Sequence, residues 1–257
     1  MLTLENITKK FNIGTVDEST VFENFNFNVQ KGEFVSIIGS NGSGKSTLLN
    51  LICGTLNPES GNILFDGKSI NKLPEYKRAK FIGRVFQSPQ AGTCGNLTIL
   101  ENLALADNKN KLYGLAPCIS KKRTDYYKSI LGVCDMGLEN RLNTKVGSLS
   151  GGQRQALALV IASMANIRLL ILDEHTAALD PKSSDTIMKL TDKIVREKNL
   201  TTLMVTHNLR FAAEYGNRLI MMHEGKCIMD LKDSEKKNAN VDDMLDRFYH
   251  ISIENGN

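Results

Sequence analysis

"FVSIIGSNGSGKSTLLN", Phe34 to Asn50, decides the fold. It opens on a short apolar run, Phe34 to Gly39, which suits a strand buried on both faces. It closes on "LLN", the start of a helical run. Between them stands G-x-x-x-x-G-K-[ST], with Gly39, Gly44, Lys45 and Ser46 in the fixed places and Ser40, Asn41, Gly42, Ser43 and Thr47 completing the loop. Glycines let the backbone curl until successive N–H groups face inward. The helix starting there adds the positive end of its dipole. Such a concavity fits phosphate oxygens. Lys45 is expected as a mobile point charge for the β- and γ-phosphates of a nucleotide, and the Ser46 hydroxyl as a hard oxygen ligand for Mg²⁺. A Gly-Ser turn that merely contained a lysine would need neither the strand before it nor the helix after it. The motif implies phosphate-loop nucleotide binding, without saying of which kind.

Working outward, "LTLENIT" (Leu2 to Thr8) and "FNFNV" (Phe25 to Val29) alternate as half-buried strands do, and "GNILFDGKSI" reads as a hairpin. From about Thr98 to Arg141 the chain reads as mainly helical, beginning with "LTILENLALA". Its polar stretch from Asp107 to Arg123 reads as a solvated loop and helix start. A helix from near Ser150, a strand over Leu169 to Leu172, a helix from about Lys182 to Lys198 and the strand "TTLMVTH" follow. That alternation predicts an α/β layer with a largely parallel sheet. The tail from Ser234 starts polar, holds one short amphipathic helix and ends frayed.

At 257 residues the chain suits one sizeable domain or a domain carrying a subdomain, and its net charge of +4 is too weak to point to a nucleic-acid partner. The longest apolar run, Ala156 to Ala165, falls short of the roughly 20 residues a bilayer span needs and reads as a buried helix. No signal peptide is visible in "MLTLENITKKF". Cys53, Cys94, Cys118, Cys134 and Cys227 are scattered, without CxxC spacing, as reduced thiols of a cytoplasmic protein would be.

"LSGGQRQ", Leu149 to Gln155, places a serine and two glycines at a predicted helix start, a second anion-binding end. Alone it would read as an ordinary serine-capped helix. One chain has no use for two such ends on one γ-phosphate; two chains arranged head to tail do. "DEHTAALD", Asp173 to Asp180, follows the apolar "RLLIL". Asp173 at the end of a buried strand suits a Mg²⁺ ligand. Glu174, one residue on, is expected to point the other way on an extended backbone and to act on water as general base.

With these motifs in this order, nearly the whole chain resembles the ATP-binding cassette (ABC) ATPase family. "GSNGSGKST" looks like its Walker A loop, Gln87 in "VFQSP" like the Q-loop glutamine, and Leu149, Ser150, Gly151, Gly152 and Gln153 like its signature. "LLILDE" (Leu169 to Glu174) looks like Walker B, "ALD" (Ala178 to Asp180) like the D-loop, and His207 in "VTH" like the switch histidine. Phe11 stands where the family places an aromatic, usually tyrosine, under the adenine.

The resemblance implies a P-loop NTPase (RecA-like) ABC core over residues 1–235. It would carry an antiparallel β subdomain and a helical subdomain inserted at about 88–165, with a tail at 236–257. It implies ATP and Mg²⁺ as cofactors, with Ser46, Gln87 and Asp173 near the metal and Glu174, His207, Gln87 and Lys45 in catalysis. Each ATP would lie between the Gly39–Thr47 loop of one subunit and the signature of a second, with Asp180 crossing the subunit contact, unless it is simply the cap of the next helix. Partners would be membrane-spanning permease subunits on separate chains, an extracytoplasmic substrate-binding protein and a second ABC subunit. The location would be peripheral, on the cytoplasmic face of the membrane. "QSPQAGTCG" and "DEHTAALD" further resemble a bacterial group that serves amino-acid uptake, tryptophan and tyrosine among the solutes. An ABC ATPase of iron–sulfur assembly is the alternative. His175 departs from the proline usual in the family and reads as a structural or subgroup marker, not a catalyst.

Overall fold

Strand β1 (Leu2–Phe11) carries the first alternating pattern, and its inward residues Leu2, Leu4 and Ile7 are buried. The alternation breaks where the sequence reading did not expect it. Asn6 has φ 51°, and the register with the neighbouring strands shifts between Leu4 and Ile7. The bulge presses against Gly61, where a Cβ would collide with the carbonyls of Glu5 and Asn6.

In this computed structural model residues 1–109, 119, 121–164 and 166–238 are described. Most of the polar stretch from Asp107 to Arg123, and the amphipathic helix expected in the tail, lie outside them. In chain order β1 is followed by β2 (Ser19–Val29), β3 (Phe34–Gly39), α1 (Lys45–Cys53), β4 (Ser60–Phe65), β5 (Lys68–Ser69), α2 (Glu75–Arg78) and β6 (Ile82–Val85). Then come α3 (Ile99–Asn108), α4 (Lys121–Gly132), α5 (Gly151–Met164), β7 (Leu169–Asp173) and α6 (Pro181–Lys198). The remainder is β8 (Thr201–Val205), α7 (Leu209–Glu214), β9 (Arg218–His223), β10 (Lys226–Lys232) and α8 (Asp233–Asn238).

The chain divides into two units, 1–78 with 200–257, and 79–199. In the first unit β2, β1, β4 and β5 form an antiparallel sheet in that order. The Phe22 and Phe25 rings on its buried face stack at 4.4 Å. The predicted hairpin is β4 with β5, turned at Asp66 and Gly67, both at positive φ. In the second layer β3 runs parallel to both β8 and β9, and β10 closes the edge antiparallel to β9. All six residues of β3 are buried, as its unbroken apolar run requires.

Helix α1 is held at its far end by Arg78, which is fully buried. Its guanidinium donates to the carbonyls of Leu51, Ile52, Asn71 and Leu73 at 2.7–3.2 Å. A cation on the last carbonyls opposes the negative end of the helix dipole. Gly54, the C-cap at φ 85°, leaves room for it: a Cβ there would lie 2.7 Å from Arg78 Nε.

In the second unit β6 and β7 pair in parallel, Ile82 opposite Leu169 and Val85 opposite Leu172. Helix α5 buries the run from Ala156 to Val160. Helix α3 begins with a capping box, Thr98 Oγ1 accepting from the Glu101 amide while the Glu101 carboxylate accepts from the Thr98 amide. Among the described residues no helix is long and apolar enough to cross a membrane. Cys53, Cys94, Cys134 and Cys227 are free thiols.

Candidate functional site

The Gly39–Thr47 loop lies between β3 and α1, where the apolar run and the helical run meet. Gly44 is the helix N-cap at φ 97°, and Gly42 has φ 79°. Neither conformation suits a residue with a side chain. Ser43, Gly44 and Lys45 are buried, while Asn41, Gly42 and Ser46 are exposed. Lys45 is not the mobile charge expected. Its ammonium donates to the carbonyls of Gly39 at 2.8 Å and Ser40 at 2.7 Å, and to Ser43 Oγ at 3.3 Å. The lysine thus ties down the loop it belongs to, and its charge is already positioned where that loop curls.

The β9–β10 hairpin braces the same loop, which the sequence reading missed. Gly225 N donates to the Ser43 carbonyl at 3.1 Å, and Ser40 Oγ lies 3.3 Å from His223 Nδ1. A Cβ on Gly39 would strike the Met222 carbonyl. The legible signal was Glu224-Gly225, a turn dipeptide with both residues at positive φ.

Also in the first unit, Phe11 ends β1 half-buried, with Lys9 Nζ 5.2 Å from its ring centroid. His207 is exposed in a bend two residues past β8 rather than on the strand.

In the second unit the signature forms a capping box. Ser150 Oγ accepts from the Gln153 amide at 3.2 Å, and Gln153 Oε1 accepts from the Ser150 amide at 3.3 Å. So Ser150 does cap its helix, as the ordinary reading had it. Gly152 permits a close approach to α6: a Cβ would lie 3.3 Å from Ser183 Oγ. Leu149 is half-buried just before the box.

Asp180 is the N-cap of α6, Oδ1 accepting from the Ser183 amide at 3.0 Å ahead of Pro181. Hydrogen bonds from Ser183, hydroxyl first and amide second, hold its carboxyl below the usual carboxylate range. The cap is the structural role of Asp180.

Asp173 ends β7 half-buried, and Oδ2 forms an ion pair with Arg84 Nη2 at 2.7 Å. Arg84, unforeseen, also stacks on Phe86, its Cζ 4.8 Å from the ring centroid. The pair joins residues 89 positions apart through the β6–β7 register, where Arg84 faces Ile171. It fixes the carboxylate's orientation by one oxygen. Each residue expected near the metal, Asp173, Ser46 or Gln87, carries a side-chain oxygen, the donor type a hard ion such as Mg²⁺ takes.

Glu174 departs from the strand geometry expected of it. Its backbone is not extended but left-handed, φ 47°, and its carbonyl accepts from Ala177 N at 2.9 Å in a turn. Simple strand alternation therefore does not aim its side chain; a strained turn does. Gln87 is exposed in a bend directly after β6 and Phe86.

His175 is 2% exposed, its Nε2 3.2 Å from Thr191 Oγ1 on α6. Burial pushes its pKa down to about 4, so it is neutral at pH 7. The unfolded chain, with an ordinary histidine near 6.5, binds the extra proton first. Stability is therefore complete above pH 6.5 and falls progressively towards pH 4. The expected loss is on the order of 3 kcal/mol, at 1.36 kcal/mol per unit between about 4 and 6.5. His175→Pro should flatten that part of a melting-temperature profile and leave ATPase activity largely intact. An unchanged slope, or an activity loss like that expected of Glu174→Gln, would overturn the structural role.

A strand, a glycine loop curled round a buried lysine and a helix N-terminus, joined in one chain to a second capped helix start, define a phosphate-loop nucleotide-binding ATPase. Comparison with known proteins makes this specific. The family model described as ABC transporter matches residues 22–177. A tyrosine transport ATP-binding protein of Clostridioides difficile is 51% identical over 248 residues, 96% of this chain and 98% of that protein. An energy-coupling factor transporter ATP-binding protein of Clostridium tetani is 34% identical over 235 residues, 90% of this chain and 79% of that one. Among solved structures, a dimeric ATP-binding cassette in a post-hydrolysis state with ADP and Pi matches at TM-score 0.77 and 33% identity, covering 90% of this chain and 98% of that one. The chain belongs to the ABC transporter family, as an ATP-hydrolysing, nucleotide-binding subunit with the P-loop NTPase core of these cassettes.

Proposed function

We propose that this subunit powers an importer of amino acids, aromatic ones such as tyrosine among them. The observation that carries the reading is the 51% identity, over 96% of the chain, to a protein named for tyrosine transport. The permease is on separate chains, and an extracytoplasmic substrate-binding protein delivers the solute. The subunit works peripherally, on the cytoplasmic face of the membrane.

In the proposed cycle two copies sandwich two ATP. The amides of the Gly39–Thr47 loop and the Lys45 ammonium hold the phosphates of one ATP, with Phe11 beneath the adenine. Gly151 and Gly152, at the capped start of α5 in the second copy, offer amides to the γ-phosphate, and Asp180 meets the partner across the contact. Ser46, Asp173 and Gln87 would hold Mg²⁺, which supplies charge neutralisation at the β- and γ-oxygens when bound. Glu174 takes the proton of the attacking water, and His207 orients Glu174 and reaches the γ-phosphate. Residues 88–165 form the helical subdomain that meets the permease, and Gln87 relays the state of the nucleotide to it.

Isolation of the native complex tests the reading. A multi-span membrane partner should copurify, and tyrosine-loaded binding protein should raise ATP hydrolysis by the reconstituted complex. Soluble partners alone would exclude transport. Equal stimulation by binding protein loaded with a non-aromatic solute would exclude the aromatic preference.

A further inference from the structure

The stretch Phe86–Gly95 leaves β6, carries Gln87 and ends beside the segment that leads into the signature. Its far end is joined by backbone: Gly147 N donates to the Gly95 carbonyl at 2.8 Å, and Val146 N to the Leu97 carbonyl at 2.9 Å. Two side chains directly after the signature hold the rest. Gln155, 1% exposed on α5, donates from Nε2 to the Phe86 carbonyl at 3.2 Å, one residue before Gln87. Arg154 Nε donates to Thr93 Oγ1 at 2.8 Å, and Thr93 Oγ1 itself donates to the Pro89 carbonyl at 2.7 Å. Gly95 makes room for the guanidinium, since a Cβ there would lie 3.3 Å from Arg154 Nη2.

We propose that Arg154 and Gln155 are positioning residues that clamp the Gln87 stretch to the first turns of α5, so that Gln87 and the Ser150–Gln153 capping box move as one body. Both ends of the stretch are fastened to one helix, one at its carbonyl before Gln87 and the other at Thr93. A displacement of Gln87 by a bound nucleotide is then carried to the signature of the same chain. The signature in turn meets the nucleotide held by the partner copy. The clamp makes each chain's own nucleotide state a term in the fit of its partner's. It rests on the roles proposed above for Gln87 and the signature, and adds the two residues that join them.

Amide hydrogen exchange on the full chain in a Glu174→Gln background, with and without Mg·ATP and at a dilution where the chain stays monomeric so that no partner's nucleotide touches the signature, tests it. In the parent, ATP should change exchange in 86–95 and 148–153 together. In Arg154→Met, and more completely in Arg154→Met with Gln155→Met, the 86–95 change should persist and the 148–153 change should vanish. Arg154→Lys, which keeps one donor for Thr93, should restore it in part. With Glu174 intact, Arg154→Met should lower kcat roughly 10- to 100-fold, the effect of an ångström-scale misplacement, with KM for ATP within about twofold. A change that persists at both segments in the double variant sinks the clamp and leaves the Gln87 role standing. A parent in which ATP alters neither segment sinks both.

Discussion

Glu174→Gln should bind ATP as tightly as the parent and hydrolyse it at least ~100-fold more slowly, the scale set by losing a general base. Glutamine keeps the size and the hydrogen-bonding reach of the side chain but cannot take a proton from water. The backbone at φ 47° adds a second expectation. A left-handed conformation costs a non-glycine residue about 1–2 kcal/mol, and glycine is spared it. Glu174→Gly should therefore lose hydrolysis as fully as Glu174→Gln, yet melt roughly 2–4 °C higher per kcal/mol of strain relieved. Glu174→Gln, which retains the strain, should melt with the parent. Single-turnover hydrolysis and thermal melts of the three proteins check both parts. Turnover of Glu174→Gln near that of the parent would remove Glu174 as the base. A lower melting temperature for Glu174→Gly would mean that the carboxylate stabilises the turn by more than the backbone conformation costs.

That turn also shows where sequence reasoning stops. The strands were legible because burial imposes a period: β3 reads as one apolar run and is buried at every residue. The phosphate loop was legible because Gly42 and Gly44 occupy conformations that few other residues tolerate. Both are local constraints. Glu174 is a residue forced into a glycine-like conformation by the turn it sits in, and its identity announces nothing of the sort. Alternation along an extended strand was the natural extrapolation from β7, and it fails one residue past the strand's end.

The pairings that complete the site were illegible for a different reason. Arg84 meets Asp173 only because β6 and β7 align in one register, and Gln155 meets the Phe86 carbonyl across 69 residues. Such contacts follow from packing, and nothing in the local pattern of "IGRVFQ" or "GGQRQ" distinguishes them from solvated polar groups. Asp180 and Ser150 lie between the two cases. Their capping geometry was readable, since a serine or aspartate stands just before each helix. Capping and an additional role at a subunit contact leave the same mark in a sequence, so the cap seen here does not compete with the proposed role.

Lys45→Met is expected to weaken ATP binding by roughly 10²–10⁴-fold, equivalent to losing two charge-assisted hydrogen bonds of about 1.5–3 kcal/mol each. Methionine keeps most of the apolar stem and removes only the ammonium. The geometry sharpens what else should happen. The ammonium is bonded to the Gly39 and Ser40 carbonyls and to Ser43 Oγ, so its removal also leaves a buried corner of the loop without its donor. The variant should therefore melt lower than the parent even without nucleotide, by an amount in keeping with an unsatisfied buried acceptor of about 1–3 kcal/mol. Lys45→Arg should not rescue binding, because a planar five-donor fork cannot take the place of a compact ammonium inside this closed curl. Titration with a fluorescent ATP analogue, beside melts without nucleotide, separates the two effects. A dissociation constant within about threefold of the parent would take the lysine out of phosphate binding. A shifted constant with an unchanged melting temperature would mean that its bonds to the loop carbonyls add nothing to the fold. The comparison with Glu174→Gln completes the test: loss of Lys45 should appear as weakened binding and a raised KM, loss of Glu174 as a fall in kcat at unchanged affinity. The two proposed roles then part along the line between holding ATP and cleaving it.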